Sequence, residues 1–434
     1  MDRKTYIIDT TVLLQDPQAL ERFSGNDVVI AYNVLEDLDR KKKLADVLGH
    51  NARQVLRFID TLSAQGNLYQ GVKIGKDIVF RVLRETRNGE TQDLPLKIET
   101  SRNKIIAAAH YLKGKGEKVV IVSRDFVFRV KAQSYGIEAE DYESLKGSYE
   151  HLYKGIRRME LPKKEVDLYF TQGFIPMTGD FCPNEYAIVT AGDHMQVTCK
   201  YNHKRKGLEP VDLLKKGIWG VKPLNDEQAC AMDILLNDDI KLVTFLGQAG
   251  TGKTLLALTC GLKKVFDDGV YHKILVSRPI MPLGKDIGFL PGTKEEKILH
   301  WMQPIYDNLD FLCEYTAGID NGSETKKWIM NSEKIEMEAV TYIRGRSLTK
   351  TYIIIDEAQN LTPHEAKTII SRAGKGTKVI LNGDPTQIDN PYLDKDSNAL
   401  TYIVDRFKNY PIYGHIKFEK TERSELSALA AEIL

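Results

Sequence analysis

The stretch Lys241–Leu258, KLVTFLGQAGTGKTLLAL, decides the fold of the larger part of the chain. A strand-like apolar run, KLVTFL, meets a glycine-rich turn and then the helical run LLALTCGLKKVF. The turn reads Gly247, Gln248, Ala249, Gly250, Thr251, Gly252, Lys253, Thr254, which is the spacing G-x-x-x-x-G-K-S/T in its required strand-to-helix context. Its glycines let backbone N–H groups wrap phosphate oxygens, and the helix N-terminus adds positive potential. Lys253 supplies a point charge for the outer phosphates, and the Thr254 hydroxyl is the expected ligand of Mg²⁺. A turn that binds nothing leaves both Lys253 and Thr254 as coincidences. ATP with Mg²⁺ is therefore the predicted ligand pair.

Outward from this loop, three more apolar runs end in charged or turn residues: HKILVSRP, TYIIIDEA and KVILNGDP. An open α/β sheet places its site at the carboxyl ends of its strands, so these ends should converge on the loop. Tyr352 to Ile355 deliver Asp356 and Glu357 to such an end. Asp356 is the candidate partner of Mg²⁺, and Glu357 the candidate that polarises the attacking water. LNGDPTQID ends a further strand with Asp384 and Gln387, polar groups placed to sense the γ-phosphate; the same tripeptide GDP is also a common turn.

Residues 1 to about 145 repeat the alternation of strand-like and helix-like runs, which predicts a mostly parallel sheet covered on both faces. Between about 150 and 217 the pattern changes: EYAIVTAGDHMQVTCKYNHKRKGLEPV alternates with turn residues, and nothing there reads as a long helix. The expected class is thus α/β, in three parts: 1–148, a small β-rich module or linker over 149–217, and a P-loop domain over 218–434. With 61 Lys plus Arg against 60 Asp plus Glu, the net charge of +1 supplies no global field, so any polyanion site is local. Five scattered cysteines without a C-x-x-C argue against a disulfide framework or structural zinc and fit a reducing, cytoplasmic setting. Neither a signal peptide nor a membrane span is visible.

GQAGTGKTLLAL, VSRPIMPLGKDIGFLPG, IRGRSL, IIIDEAQN, NGDPTQID and the terminal ERSEL, in this order, resemble a PhoH-like ATPase, a relative of superfamily 1 helicases. The resemblance covers about residues 218 to 434 and implies an ATP hydrolase that translocates on or unwinds RNA. It implies that Gln228, in LNDEQACAMDIL, reads adenine, and that Arg278, Arg344 and Arg346 face nucleic acid or a phosphate. Arg423 resembles an arginine finger, which implies a homo-oligomeric ring, a hexamer being the expected form. For each arginine the alternative reading is a surface or interface ion pair.

In the first third of the chain, Asp9 ends the run YIID, Glu36 lies in NVLEDLDR, and Asp125 follows KVVIVSRD. Gathered at the carboxyl edge of a parallel sheet, the three would hold Mg²⁺ or Mn²⁺ for phosphodiester hydrolysis; taken singly, Asp9 suits capping Thr10 and Thr11. The set IIDTTVLL, VLEDLD, NKIIAAAHYL and IVSRDFVFRVKA resembles a PIN nuclease domain. Such domains carry Asp-Thr-Asn at the first site and a further acid before the NKII helix. Here those positions hold Thr11 and Ser101-Arg102-Asn103, and an arginine among the carboxylates should lower metal affinity. The alternatives are therefore a cutting domain, an ATP-switched RNA clamp with an inert PIN domain, and a regulatory ATPase without RNA. KYNHKRKG, Lys200 to Gly207, either contacts RNA phosphate and stacks a base or is a solvated basic loop.

Overall fold

The computed structural model describes residues 3–44, 47–75, 77–84, 96–97, 99–142, 149, 152–192, 195–211, 217–279, 301–317, 322–343, 347–391 and 393–422. The chain forms two compact units, Met1–Ser148 and Tyr149–Leu434. Both are mixed α/β with parallel-rich sheets, as the alternation of runs predicts.

In the first unit, six strands stand in the order β3-β4-β2-β1-β5-β6: β1 (Thr5–Ile8), β2 (Asp27–Ala31), β3 (Val72–Ile74), β4 (Ile78–Leu83), β5 (Val119–Val122) and β6 (Glu138–Glu140). All pairings are parallel except β3 with β4. The central strands β1 and β5 are buried along their whole length, which explains why TYII and VVIV are uninterrupted apolar runs rather than alternating ones. Their register, Ile8 opposite Val122, brings the residues that follow both strands to one edge.

The second unit holds two sheets. The smaller has the order β7-β9-β10-β11-β8, from β7 (Ile156–Glu160), β8 (Ile175–Pro176), β9 (Tyr186–Ala191), β10 (Met195–Asn202) and β11 (Gly207–Pro210). The stretch between about 150 and 217, in which nothing reads as a long helix, holds a short one beside the sheet. A ten-residue helix, Lys163–Gln172, starts at Pro162 and stops at Gly173, which is left-handed at φ 63°. Its buried residue is Val166, so KKEVDLYFTQ carries almost no apolar stripe by which to be read.

The larger sheet is fully parallel, in the order β14-β13-β15-β16-β12-β17: β12 (Leu242–Leu246), β13 (Lys273–Arg278), β14 (Ile335–Ala339), β15 (Thr351–Ile355), β16 (Lys378–Gly383) and β17 (Tyr413–Lys417). Side chains alternate between two cores. Val243, Phe245, Ile354 and Ile380 pack with Leu256 and Ala257 of the helix Lys253–Leu262, whereas Leu246, Ile355 and Leu381 pack with Leu400 and Val404 on the other face.

The helix Asp226–Leu236 crosses this sheet and is clasped by the smaller one. Thr198 donates to Asp226 (2.7 Å), Tyr186 to Asp233 (2.5 Å), and Arg158 pairs with Glu227 (3.3 Å). At its last turn the fully buried Lys378 amine donates to the carbonyls of Ile234 and Asn237, both at 2.8 Å, so carbonyls left open by the helix end are satisfied.

Candidate nucleotide site and acid pocket

The loop after β12 turns into the helix Lys253–Leu262 through Gly252, whose φ of 87° is a conformation in which an L side chain is strained. Glycine also leaves the helix without a capping side chain from its N-cap residue, so its first N–H donors are not held by their own cap. Lys253 is buried and folds over the loop, donating to the carbonyls of Gly247 (2.6 Å) and Gln248 (2.8 Å) and to Thr251 Oγ1 (3.3 Å). Thr254 Oγ1 donates to Asp356 Oδ1 at 2.6 Å, which joins the loop to the end of β15.

Glu357 follows Asp356 with a left-handed backbone, φ 55°, and so departs from the line of the strand. Arg278, at the end of β13, lies between the acids: Nε is 3.4 Å from Asp356 Oδ2 and Nη2 is 3.2 Å from Glu357 Oε1. The arginine that the resemblance turns toward nucleic acid or a phosphate therefore sits on the two carboxylates. Burial, then the neighbouring Glu357 charge, pushes the Asp356 carboxyl up, while Arg278, Thr254 and Lys253 pull the other way.

Gln359 escaped the sequence reading. It is fully buried, and its Nε2 donates to Glu357 Oε2 (2.5 Å) and to the carbonyl of Gln387 (2.9 Å), while its Oε1 accepts from Asp384 N (3.1 Å). A Cβ on Gly383 would lie 2.2 Å from that Oε1, so glycine there makes room for the link. One amide thus ties the acid turn to the GDPTQ loop, whose Gln387 side chain is exposed. In the sequence Gln359 stands in DEAQN, two residues beyond Glu357. Gln228 lies under the loop with its amide engaged at both ends: Oε1 accepts from Leu224 N (2.9 Å) and Nε2 donates to the Thr251 carbonyl (3.2 Å).

Oxygen donors dominate this site, with Thr254 Oγ1 and Asp356 Oδ1 adjacent and the Oδ2 of buried Asp384 without a protein partner among the described residues. That set fits Mg²⁺ and a polyphosphate. Arg344, Arg346 and Arg423 lie outside the described residues.

In the first unit, Asp9 stands at the N-cap position of the helix Thr10–Gln15 but makes no capping hydrogen bond. Its Oδ2 instead accepts from Thr11 Oγ1 (2.6 Å) and Ser123 Oγ (2.7 Å). Asp125 caps the helix Phe126–Ser134, accepting from Phe128 N at 2.9 Å, and its other oxygen is paired with Arg102. Glu36, the expected third acid, is exposed, and the helix Tyr32–Lys41 turns Asp37 toward the pocket instead. Asp37 accepts from Thr10 Oγ1 (3.4 Å) and from Ser101 Oγ. Asn33, one helical turn before Asp37, donates to Ser101 Oγ at 2.7 Å, and that i, i+4 relation was the available signal. Among the described residues, no three His, Cys, Asp or Glu side chains form a group able to hold a metal. The expected set Asp9, Glu36 and Asp125 is thus not assembled, and the residues present do not fit a divalent cation.

The basic hairpin also differs from its composition. Lys200 turns to Asp233 (3.1 Å), Arg205 pairs with Glu209 (2.7 Å), and the Tyr201 ring is buried on Phe181 with centroids 4.2 Å apart. Tyr201 is therefore taken as a stacking surface, whereas His203, Lys204 and Lys206 stay exposed. No described helix is long and apolar enough to cross a membrane.

Residues 220–433 match the family model described as PhoH-like protein, and residues 6–143 match that of the PIN domain. The chain is 41% identical over 445 aligned residues to Protein PhoH2 of Bacillus subtilis (strain 168), covering 99% of this chain and 100% of that protein. It is 32% identical to Protein PhoH2 of Thermobispora bispora, covering 99% of this chain and 96% of the relative. The corresponding values for Protein PhoH2 of Mycolicibacterium smegmatis are 31%, 99% and 97%.

Proposed function

The chain belongs to the PhoH2 family, in which an N-terminal PIN domain precedes a PhoH-type P-loop domain, and from that premise we propose that it is an ATP-driven motor that moves along or unwinds RNA. The observation that carries this reading is the hydrogen bond from Thr254 to Asp356 at 2.6 Å, with Lys253 in the same loop and Glu357 beside it. Lys253 binds the outer phosphates and draws off their charge. Thr254 and Asp356 would hold Mg²⁺, which when bound offsets charge on the phosphate oxygens. Glu357, aimed by Gln359, orients the attacking water and accepts its proton. Gln387 follows the γ-phosphate, Gln228, bonded to the loop at Thr251, reads the adenine, and Arg423 of one copy serves the site of the next in a ring, a hexamer being the form we favour. The working parts are residues 1–148, 149–217 and 218–434.

RNA as the track is supported by the PIN domain. Coupling a motor to such a domain makes physical sense, because paired RNA hides its bases from any protein that acts on single strands. For the PIN domain itself, the alternatives are metal-dependent cutting and holding of the strand. The ion pair of Arg102 with Asp125 favours holding.

The test is ATP hydrolysis with and without single-stranded RNA, for the wild type and Lys253→Ala. The expected outcome is a rate raised by RNA in the wild type and abolished in the variant. Hydrolysis indifferent to RNA would leave a regulatory ATPase that does not act on RNA.

A further inference from the structure

The strand β16 carries a group that the site described so far does not use. Asn382, in LNGDP, is fully buried, yet neither Oδ1 nor Nδ2 has a hydrogen-bond partner among the described residues. Leaving a buried polar group unpaired is costly, so such a residue calls for an explanation outside the fold's own bonding.

Register and alternation locate it. Leu381 is opposite Ile355 on β15, and Asn382 is opposite Phe245 on β12. Ile380 packs on the face covered by the helix Lys253–Leu262, and Leu381 on the other. Asn382 therefore belongs to the helix-covered face, level with Asp356, the next residue after Ile355, whose carboxylate reaches Thr254 on that helix. Two residues on, Asp384 continues the same face. Its Oδ1 accepts from Thr386 N (3.0 Å) and Oγ1 (2.6 Å), while Oδ2 is buried and unpartnered among the described residues. Ser277 Oγ is also buried and unpartnered, but alternation with Val276 puts it on the opposite face, away from the loop.

The chemistry of the amide narrows what meets it. An amide offers a donor and an acceptor side by side and no charge. A cation bound at Oδ1 would leave Nδ2 unpaired, and a bare phosphate oxygen bound at Nδ2 would leave Oδ1 unpaired. Water lying against a phosphate oxygen satisfies both, and a neutral residue here avoids a further carboxylate next to Asp356 and Asp384.

We propose that Asn382 is a catalytic residue of the nucleotide site, its amide holding the hydrolytic water against the terminal phosphate of ATP. This rests on the ATP-hydrolase reading given above. Oδ1 accepts a proton-bearing edge of the water and Nδ2 donates to a γ-phosphate oxygen. The water's oxygen forms the new bond to phosphorus, the bond from phosphorus to the bridging oxygen breaks, ADP leaves, and the water's proton passes to Glu357.

The test compares full-length wild type with Asn382→Leu, close in size but apolar, and Asn382→Thr, which keeps one hydroxyl. Turnover is measured together with affinity for ADP and for a non-hydrolysable ATP analogue. For Asn382→Leu the expected result is a melting temperature at or above wild type, unchanged ADP affinity, a kcat lower by about 10²-fold, the usual loss of one preorganised polar contact, and a reduced preference for the triphosphate analogue over ADP. Asn382→Thr should fall between the two. Asn382→Leu with wild-type kcat and an unchanged triphosphate preference overturns the proposal, as does Asn382→Thr no better than leucine. A wild type that hydrolyses no ATP would instead remove the hydrolase reading, and the analogue-against-ADP preference would still decide whether Asn382 meets the terminal phosphate.

Discussion

At Arg102 a guanidinium rests on the carboxylate of Asp125, at a position where PIN domains supply an acid. Every carboxylate around it also has a resident donor: Thr11 and Ser123 on Asp9, Thr10 and Ser101 on Asp37. A cation entering this pocket has to displace the guanidinium and strip hydroxyl donors, and both oppose binding. Arg102→Ala should therefore bind Mn²⁺ several-fold more tightly than wild type, followed through the electron paramagnetic resonance of free Mn²⁺. Asp9→Asn added to that variant should cancel the gain. Equal affinity in wild type and Arg102→Ala would show that the ion pair does not govern the pocket. At this scale the sequence was legible where motif spacing sets the residue, as with Lys253, Thr254 and Asp356. It was not legible at Glu36 against Asp37, because adjacent acids on a helix differ by about 100° of rotation, and packing of Asn33 against Ser101 chooses between them.

Strands of the larger sheet announced themselves because both faces are covered, leaving TYIII and KLVTFL as unbroken apolar runs ending at the site. The helix Lys163–Gln172 did not, since one buried valine gives no periodicity. Lys378, the first residue of β16, was equally silent: nothing local distinguishes a lysine whose amine ends up capping a distant helix. Burial lowers that amine to about 7 from its ordinary 10.5, with Asp238 acting in the opposite sense. Between about 7 and 10.5 the unfolded chain then binds more protons at this position than the folded one, so stability rises with pH across that window and is lowest below it. Urea unfolding of the wild type should accordingly gain stability from pH 7 to 9, with a slope approaching about 1.4 kcal/mol per pH unit from one displaced site. Lys378→Met should be less stable at pH 9 for want of its two hydrogen bonds, and should lack this contribution to the slope.

The whole molecule contains two compact units with separate cores, Met1–Ser148 and Tyr149–Leu434. Cooperative unfolding belongs to each core rather than to the chain, so calorimetry should resolve two transitions. ADP should raise one of them, by about 2.7 kcal/mol at a hundredfold excess over Kd, and leave the other in place. A single transition, or two that shift together, would contradict independent units. The division into a PIN part and a P-loop part was readable from motif order alone, because each motif set is confined to its own unit. The helix Asp226–Leu236 adds a property that belongs to neither end of it. Gln228 in its first turn bonds the phosphate-binding loop, and its last turn feeds carbonyls to Lys378 at the far rim of the sheet. One continuous helix is therefore the shared partner of the phosphate-binding loop and of the buried amine, so a break within it leaves both without the groups they bond.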